Sequence, residues 1–248
     1  MYSRSSSTAR LRPAGSALIV GVGALGCPAA ATLVRAGARR VTLIDPDIVE
    51  DSNLQRQTLF GPADVGRPKV TAAAEALRRL VPAARVETLQ DRLARDGATE
   101  LVSSHDFVID ACDDPATKFL INEACIDGAR PYSYGGVMGT GGQTMTVAPG
   151  SSACLACVFG DDGPTDGAGA CSEMGILAPV AGVIGSLQGL AALRALSGGV
   201  GTTAGRMTIY NAAGRRWRTV QFNRDPRCPA CAREQHQDST RRREPCHS

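Results

Sequence analysis

The chain has 248 residues, enough for one large domain with a sizeable core, and its 43% hydrophobic, 21% charged and 4% aromatic content excludes a disordered, collagen-like or coiled-coil chain. A formal net charge of +3 is too small a surplus to argue for nucleic acid, which needs a concentrated basic face. No run reaches the ~18 uncharged apolar residues of a bilayer span, because the most apolar stretch, Ile176 to Leu196, contains Gln188 and Arg194.

Met1 to Arg12 is rich in Ser and Arg without an apolar centre, so no secretory signal is expected, and 1–16 reads as an N-terminal extension. Ala17 to Gly21, Val41 to Asp45, Arg85 to Leu89 and Asp106 to Asp110 are short runs rich in Val, Ile and Leu, the pattern of strands. Helices are predicted between them over Leu25 to Arg35, Lys69 to Leu80 and Pro115 to Asp127; Pro115 suits a first turn, where its missing N–H would have no partner. This alternation predicts an α/β fold, a Rossmann-like, mainly parallel sheet with helices on both faces. Gln143 to Ala148, Met207 to Asn211 and Trp217 to Phe222 read as antiparallel C-terminal additions, the last two joined by a turn around Gly214. Gly160 to Ala170 lacks periodicity and is rich in Gly and Asp, which predicts a mobile surface loop. Ile176 to Leu196 is read as an apolar core helix, and 233–248 as a disordered tail.

The first strand runs into Gly21-Val22-Gly23-Ala24-Leu25-Gly26 and then a helix. Such glycines permit a tight turn, close approach of backbone to phosphate and close packing of helix on strand, while the helix N-terminus offers free N–H groups to an anion. Asp45, ending the second strand, stands where a carboxylate accepts ribose hydroxyls. These features alone also fit a nicotinamide-dependent oxidoreductase. Asn53-Leu54-Gln55-Arg56-Gln57, Lys69 and Asp113-Asp114 then follow strands whose carboxyl ends share one edge of the sheet. Arg56 and Lys69 there can hold a triphosphate and Asp113 a Mg²⁺ ion against it, which favours ATP chemistry over hydride transfer. Of the 27 basic residues 25 are Arg, so Lys69 and Lys118 are the only lysines in the chain.

Nine cysteines without a signal peptide point to a reducing compartment, and cytoplasm is the default expectation. Cys154-Leu-Ala-Cys157 and Cys228-Pro-Ala-Cys231 have the spacing of two metal knuckles, and four thiolates match a closed, structural Zn²⁺ site. Two redox pairs are the competing reading. Cys27, Cys112 and Cys125 lie on apolar elements and are read as core, His105 as a boundary residue, and Cys246, His236 and His247 as part of the tail.

GVGALG, LIDPDIVEDSNLQRQTLF with GRPKV, VIDACDD, the two Cys-x-x-Cys pairs and CSEMGILAPVAGVIGSLQ occur in one order across Ala17 to Cys231. In this the chain resembles the ThiF/MoeB/HesA adenylyltransferases, relatives of ubiquitin-activating enzymes, and 17–232 would be the adenylation domain. The resemblance implies that ATP activates the C-terminal Gly-Gly carboxylate of a ubiquitin-like sulfur carrier protein. Gly21, Gly23, Gly26 and Asp45 would hold the nucleoside side, Asn53, Arg56 and Lys69 the phosphates, and Asp113 the magnesium. A homodimer is implied, with Arg4 or another N-terminal arginine completing the partner subunit's site. By the same resemblance Cys171, after the Gly/Asp-rich loop, is the candidate for a covalent link with the carrier. Without a sulfur-donor domain in the chain, a separate sulfur donor protein is expected, and neither membrane nor nucleic acid. A tRNA-modifying dehydratase of the same superfamily is the alternative within the class, and a non-catalytic binding module lies outside it. Ala24 replaces a usual Gly, and Asp114 a usual Asn, where it is expected to add negative charge near the phosphates.

Overall fold

A computed structural model of the chain describes residues 13–160, 175–199 and 203–232. Arg4, Cys171, most of the predicted mobile loop and the predicted tail lie outside these residues. Eight strands form one sheet in the order β3-β2-β1-β4-β5-β6-β7-β8. The parallel block consists of β1 (Ser16–Val20), β2 (Arg40–Ile44), β3 (Val86–Leu89), β4 (Phe107–Asp110) and β5 (Tyr132–Met138). Three antiparallel strands, β6 (Gly141–Val147), β7 (Arg206–Asn211) and β8 (Arg216–Gln221), extend it on one side. The predicted α/β architecture and its antiparallel additions are therefore present.

Alternation along the strands divides the core in two. Ala17 and Ile19 of β1, Val41 and Leu43 of β2 and Phe107 and Ile109 of β4 point to one face, where they pack with α1 (Gly26–Arg35), α2 (Lys69–Leu80) and α6 (Ala178–Leu196). Leu18, Val20, Ile44 and Val108 point to the other, covered by α3 (Arg95–Ser103), α4 (Pro115–Asp127) and α5 (Leu155–Phe159). Central strands buried on both faces read as continuous apolar runs, which is why they are legible without a period of two.

By length and composition α6 is the one helix among the described residues that could cross a bilayer, with a mean hydropathy of 1.3 over a window that is half buried. Its position explains its composition: it packs on α1, β4, β5 and β6. A Cβ on Gly185 would overlap the Leu25 carbonyl oxygen, and one on Gly189 would lie 2.9 Å from Thr32 Cβ. Two of the helix glycines thus serve contact within the chain, as the core reading expects, so the glycine pattern does not itself argue for a dimer. Gln188, fully buried on this helix, donates to the carbonyls of Asp110 at 2.6 Å and Ser133 at 3.1 Å and pins α6 to the ends of β4 and β5.

His105 is structural, in line with the boundary reading. It is 3% exposed, its Nδ1 lies 2.9 Å from the Leu101 carbonyl and its Nε2 2.7 Å from Thr42 Oγ1. Burial holds its pKa below the ordinary histidine value, so its neutral form is the one the fold selects.

Candidate active site

The carboxyl edge of the parallel block reverses between β1 and β4, the place where open α/β sheets bind ligands. Chain turns through Gly21 there, at φ +92°, and a Cβ on this residue would lie 2.7 Å from the Ala111 carbonyl oxygen. A Cβ on Gly26 would overlap the carbonyl oxygen of Gly21. Both glycines are demanded by the fold itself. Gly23 is not: the nearest atom to a Cβ there would be Gln57 Nε2, at an ordinary 3.8 Å. The loop therefore keeps a glycine where a side chain would fit, which leaves its backbone uncovered for a phosphate.

Asp45 follows β2 and is 5% exposed. Its carboxylate accepts the Val22 N–H at 2.6 Å and the Asp47 N–H at 2.9 Å, tying the glycine loop to the second strand. Burial pushes its pKa up, while these two N–H groups and the Lys69 ammonium oppose the shift. Each carboxylate oxygen keeps a second lone pair for a sugar hydroxyl.

Lys69 is the first residue of α2, a poor place for a cation because the helix dipole is positive there and the first turn has no acidic residue. Its ammonium instead donates to Asp47 Oδ2 at 2.7 Å, and its own backbone N–H donates to the Asp47 carbonyl at 2.9 Å. Asn53 is buried in a 3₁₀ turn (Asp51–Asn53), its Oδ1 3.4 Å from the Glu50 N–H. Arg56 follows this turn and donates to the Ser52 carbonyl at 2.8 Å, but makes no ion pair among the described residues. A guanidinium held by one carbonyl keeps donors for an anion.

Beyond β4, Asp113 is exposed and makes no hydrogen bond or ion pair among the described residues. Its neighbour Asp114 has another task. It caps α4, accepting the Thr117 N–H at 2.9 Å and the Thr117 hydroxyl at 2.6 Å. The Thr117 hydroxyl and N–H hold its pKa below the usual carboxylate value. The negative charge expected at this position is thus tied to the start of α4 by two hydrogen bonds.

Sequence reasoning left the pair at the foot of this edge unassigned. Asp110, with no exposed surface, meets Lys118 Nζ at 3.1 Å, and the same ammonium donates to the Gly135 carbonyl at 2.7 Å. Burial alone would depress the lysine, and Asp110 more than reverses it, raising its pKa. Cys112 donates to Asp110 at 2.9 Å, and burial, with the Asp110 carboxylate beside it, pushes its thiol well up and disfavours the thiolate. Removing one partner of such a buried pair costs ~3–5 kcal/mol. The signal was present in the sequence: Asp110 ends a strand of apolar residues, and Lys118 is one of two lysines.

On the face covered by α4 and α5, Cys154, Cys157, Cys228 and Cys231 bring four sulfurs within 4.8 Å of one another. Neighbouring sulfurs lie 3.8, 3.6 and 3.5 Å apart. A regular tetrahedron with Zn–S bonds of ~2.3 Å has edges of ~3.8 Å, so the donor set fits zinc in number, chemistry and spacing. Burial pushes Cys154 above the ordinary thiol range and Cys231 to about 11, the cost of crowding thiols that a cation relieves. Asp225 N–H donates to Cys157 Sγ at 3.4 Å and Arg224 Nε to Cys231 Sγ at 3.4 Å. These donors match the outer shell that orients thiolate ligands. Cys27 and Cys125 are fully buried, as expected of core residues, while Cys112 is half-buried.

Fold and edge together have the form of a nucleotide-binding α/β protein, with Asp45 and Asp47 linking the glycine loop to Lys69. Residues 4–230 match the ThiF family, and the chain belongs to that family. It is 37% identical over 215 residues to the sulfur carrier protein ThiS adenylyltransferase of Escherichia coli K12, covering 86% of this chain and 84% of that protein. To the mouse adenylyltransferase and sulfurtransferase MOCS3 it is 36% identical over 222 residues, 89% of this chain. The chain spans about half of that relative, 48% of its length. The solved structure of Escherichia coli MccB with ATP shares the fold, with a TM-score of 0.77 at 20% identity over 90% of this chain and 68% of that one.

Proposed function

We propose that this chain adenylates the C-terminal Gly-Gly carboxylate of a ubiquitin-like sulfur carrier protein, using ATP and releasing pyrophosphate. The supporting observation is one connected edge. Gly23 has room for a side chain that it lacks, Asp45 ties that loop to β2, Lys69 is held beside it through Asp47, and Arg56 has no acidic partner among the described residues. The named relatives favour the carrier reading over an RNA-linked dehydratase or a nicotinamide oxidoreductase.

In this reading the ribose hydroxyls bond to Asp45, and Asn53, Arg56 and Lys69 take the phosphates. The carrier carboxylate attacks the α-phosphate, the bond to the β-phosphate breaks, and pyrophosphate leaves. No general base is required, because a carboxylate is already ionised at neutral pH. Arg56 and Lys69 neutralise the charge that grows on the leaving group. Asp113, exposed and unpartnered among the described residues, suits one-carboxylate binding of Mg²⁺, which when bound lends further positive charge to the phosphates. The four cysteines hold a structural Zn²⁺ ion with no open position for water. The active unit is a homodimer in which Arg4 or another N-terminal arginine completes the partner subunit's site; light scattering that finds only monomer overturns that part.

Carrier-dependent ATP/pyrophosphate exchange tests the reading. Exchange is expected with a carrier ending in Gly-Gly and lost when the terminal Gly is removed. Tight NAD binding without exchange overturns the proposal. Cys171 is assigned to chemistry after the adenylate, so Cys171→Ala should exchange at the wild-type rate, and loss of exchange in the folded variant refutes that order of steps.

A further inference from the structure

We infer that Lys118 is a positioning residue for adenylation: it holds both ends of the turn that presents Asp113 at the carboxyl edge, one of them through buried Asp110. The inference rests on the adenylation reading above. Only Ala111, Cys112 and Asp113 lie between the end of β4 at Asp110 and the cap of α4 at Asp114. The Asp113 side chain makes no hydrogen bond or ion pair among the described residues, so the backbone of this short turn decides where its carboxylate stands.

At its near end the turn converges on Asp110. The Asp110 carbonyl accepts the Gln188 amide at 2.6 Å, while Oδ1 accepts the Cys112 N–H at 3.3 Å and the Cys112 thiol at 2.9 Å. Lys118, one helical turn beyond the cap, reaches back to both carboxylate oxygens, at 3.1 and 3.3 Å, and across to the Gly135 carbonyl at 2.7 Å. An ammonium has three N–H donors, and these acceptors use them all. At the far end the Lys118 backbone N–H donates to the Asp114 carbonyl at 3.1 Å. One residue thus joins α4, β4 and β5 at the point from which the turn departs.

Stability alone does not call for this arrangement. Asp110 has no exposed surface, and a buried ion pair commonly contributes no more than apolar side chains of the same volume would. Its hydrogen bonds, unlike apolar contacts, fix direction as well as distance. Such precision matters at this edge, because a displacement of about 1 Å in a group that binds or orients substrate can slow chemistry ~10²-fold.

Four variants decide the matter: Lys118→Met, Asp110→Asn/Lys118→Met, Asp113→Ala and Lys118→Met/Asp113→Ala. Each is measured for thermal midpoint without nucleotide and, at a temperature where all are folded, for carrier-dependent ATP/pyrophosphate exchange and for ATP affinity with and without Mg²⁺. Lys118→Met is expected to melt lower, because it leaves Asp110 buried without its partner, and to exchange about 10- to 100-fold more slowly. Asp110→Asn/Lys118→Met removes both charges, so its midpoint should return toward wild type while exchange stays slow. In both, Mg²⁺ should strengthen ATP binding less than in wild type. Once Asp113 is gone, Lys118→Met should slow exchange no further, since it acts through that carboxylate. Exchange that recovers together with the midpoint in Asp110→Asn/Lys118→Met shows the pair to be structural and overturns the inference alone. A full additional loss in the Asp113→Ala background overturns it too. Wild-type protein without carrier-dependent exchange overturns the adenylation reading and this inference with it.

Discussion

Replacing Cys154 with Ser is expected to lower the thermal midpoint by ~10–20 °C. Zinc binding to four preorganised thiolates is worth ~10 kcal/mol or more, and losing about half of it from a domain this size produces that shift. Damage should begin locally. The cluster joins Cys154 and Cys157, at the start of α5, to the segment after β8, which is also tied to the rest of the fold by Arg224 on the Gly150 carbonyl, the Phe222 N–H on the Gly205 carbonyl and the Asp225 N–H on Cys157. Stripping zinc with a chelator should therefore expose 222–232 to protease while the parallel block stays folded, and exchange activity should fall only as the structure loosens. Metal analysis of freshly purified, reduced protein should find about one zinc per chain. A metal-free protein with an unchanged midpoint would refute the structural role of the cluster.

Where local sequence and tertiary demand agree, the elements were legible. Lys69–Leu80 and Pro115–Asp127 end where expected, because Pro115 opens α4 and each helix carries its own start or stop signal. β5 was not identified, and its glycines explain why. Gly135 and Gly136 in Tyr132–Met138 look like a turn, yet a Cβ on Gly135 would lie 2.5 Å from the Gln188 amide. Gly135 is there because α6 lies close against the strand, and Gly136 because a Cβ would lie 2.9 Å from the Tyr134 hydroxyl, information that exists only in three dimensions. α3 was missed for a different reason: Asp96 and Gly97 leave helical geometry inside it, which breaks the periodic signal.

The site divides in the same way. Residue types and spacing marked Gly21, Gly26, Asp45 and the four cysteines, since each has a steric or coordination reason readable from neighbours in the chain. Spacing could not decide which of Asp113 and Asp114 is free, because both precede Pro115; the Thr117 hydroxyl and N–H select Asp114 as the cap. Nor could it show that Gln57, inside a recognised motif, buries its Oε1 without a hydrogen-bond partner among the described residues.

That division makes the last expectation a sharp one. Arg56→Ala, Lys69→Ala and Asp113→Ala should each slow adenylation by about 10²–10³, the effect of removing one preorganised charge stabiliser, or ~3–4 kcal/mol. None should much affect stability: Asp113 makes no described bond, Arg56 gives up one carbonyl contact, and Lys69 leaves behind Asp47, whose side chain is 59% exposed. Asp114→Ala should do the reverse, costing ~0.5–2 kcal/mol of stability through the lost cap while the chemical step keeps most of its rate. Pyrophosphate exchange at saturating carrier, read beside thermal midpoints, separates the two classes. Were Asp114→Ala to abolish exchange in stable protein while Asp113→Ala left it intact, the metal-binding role would belong to the helix cap, and the assignment of the two neighbours would have to be exchanged.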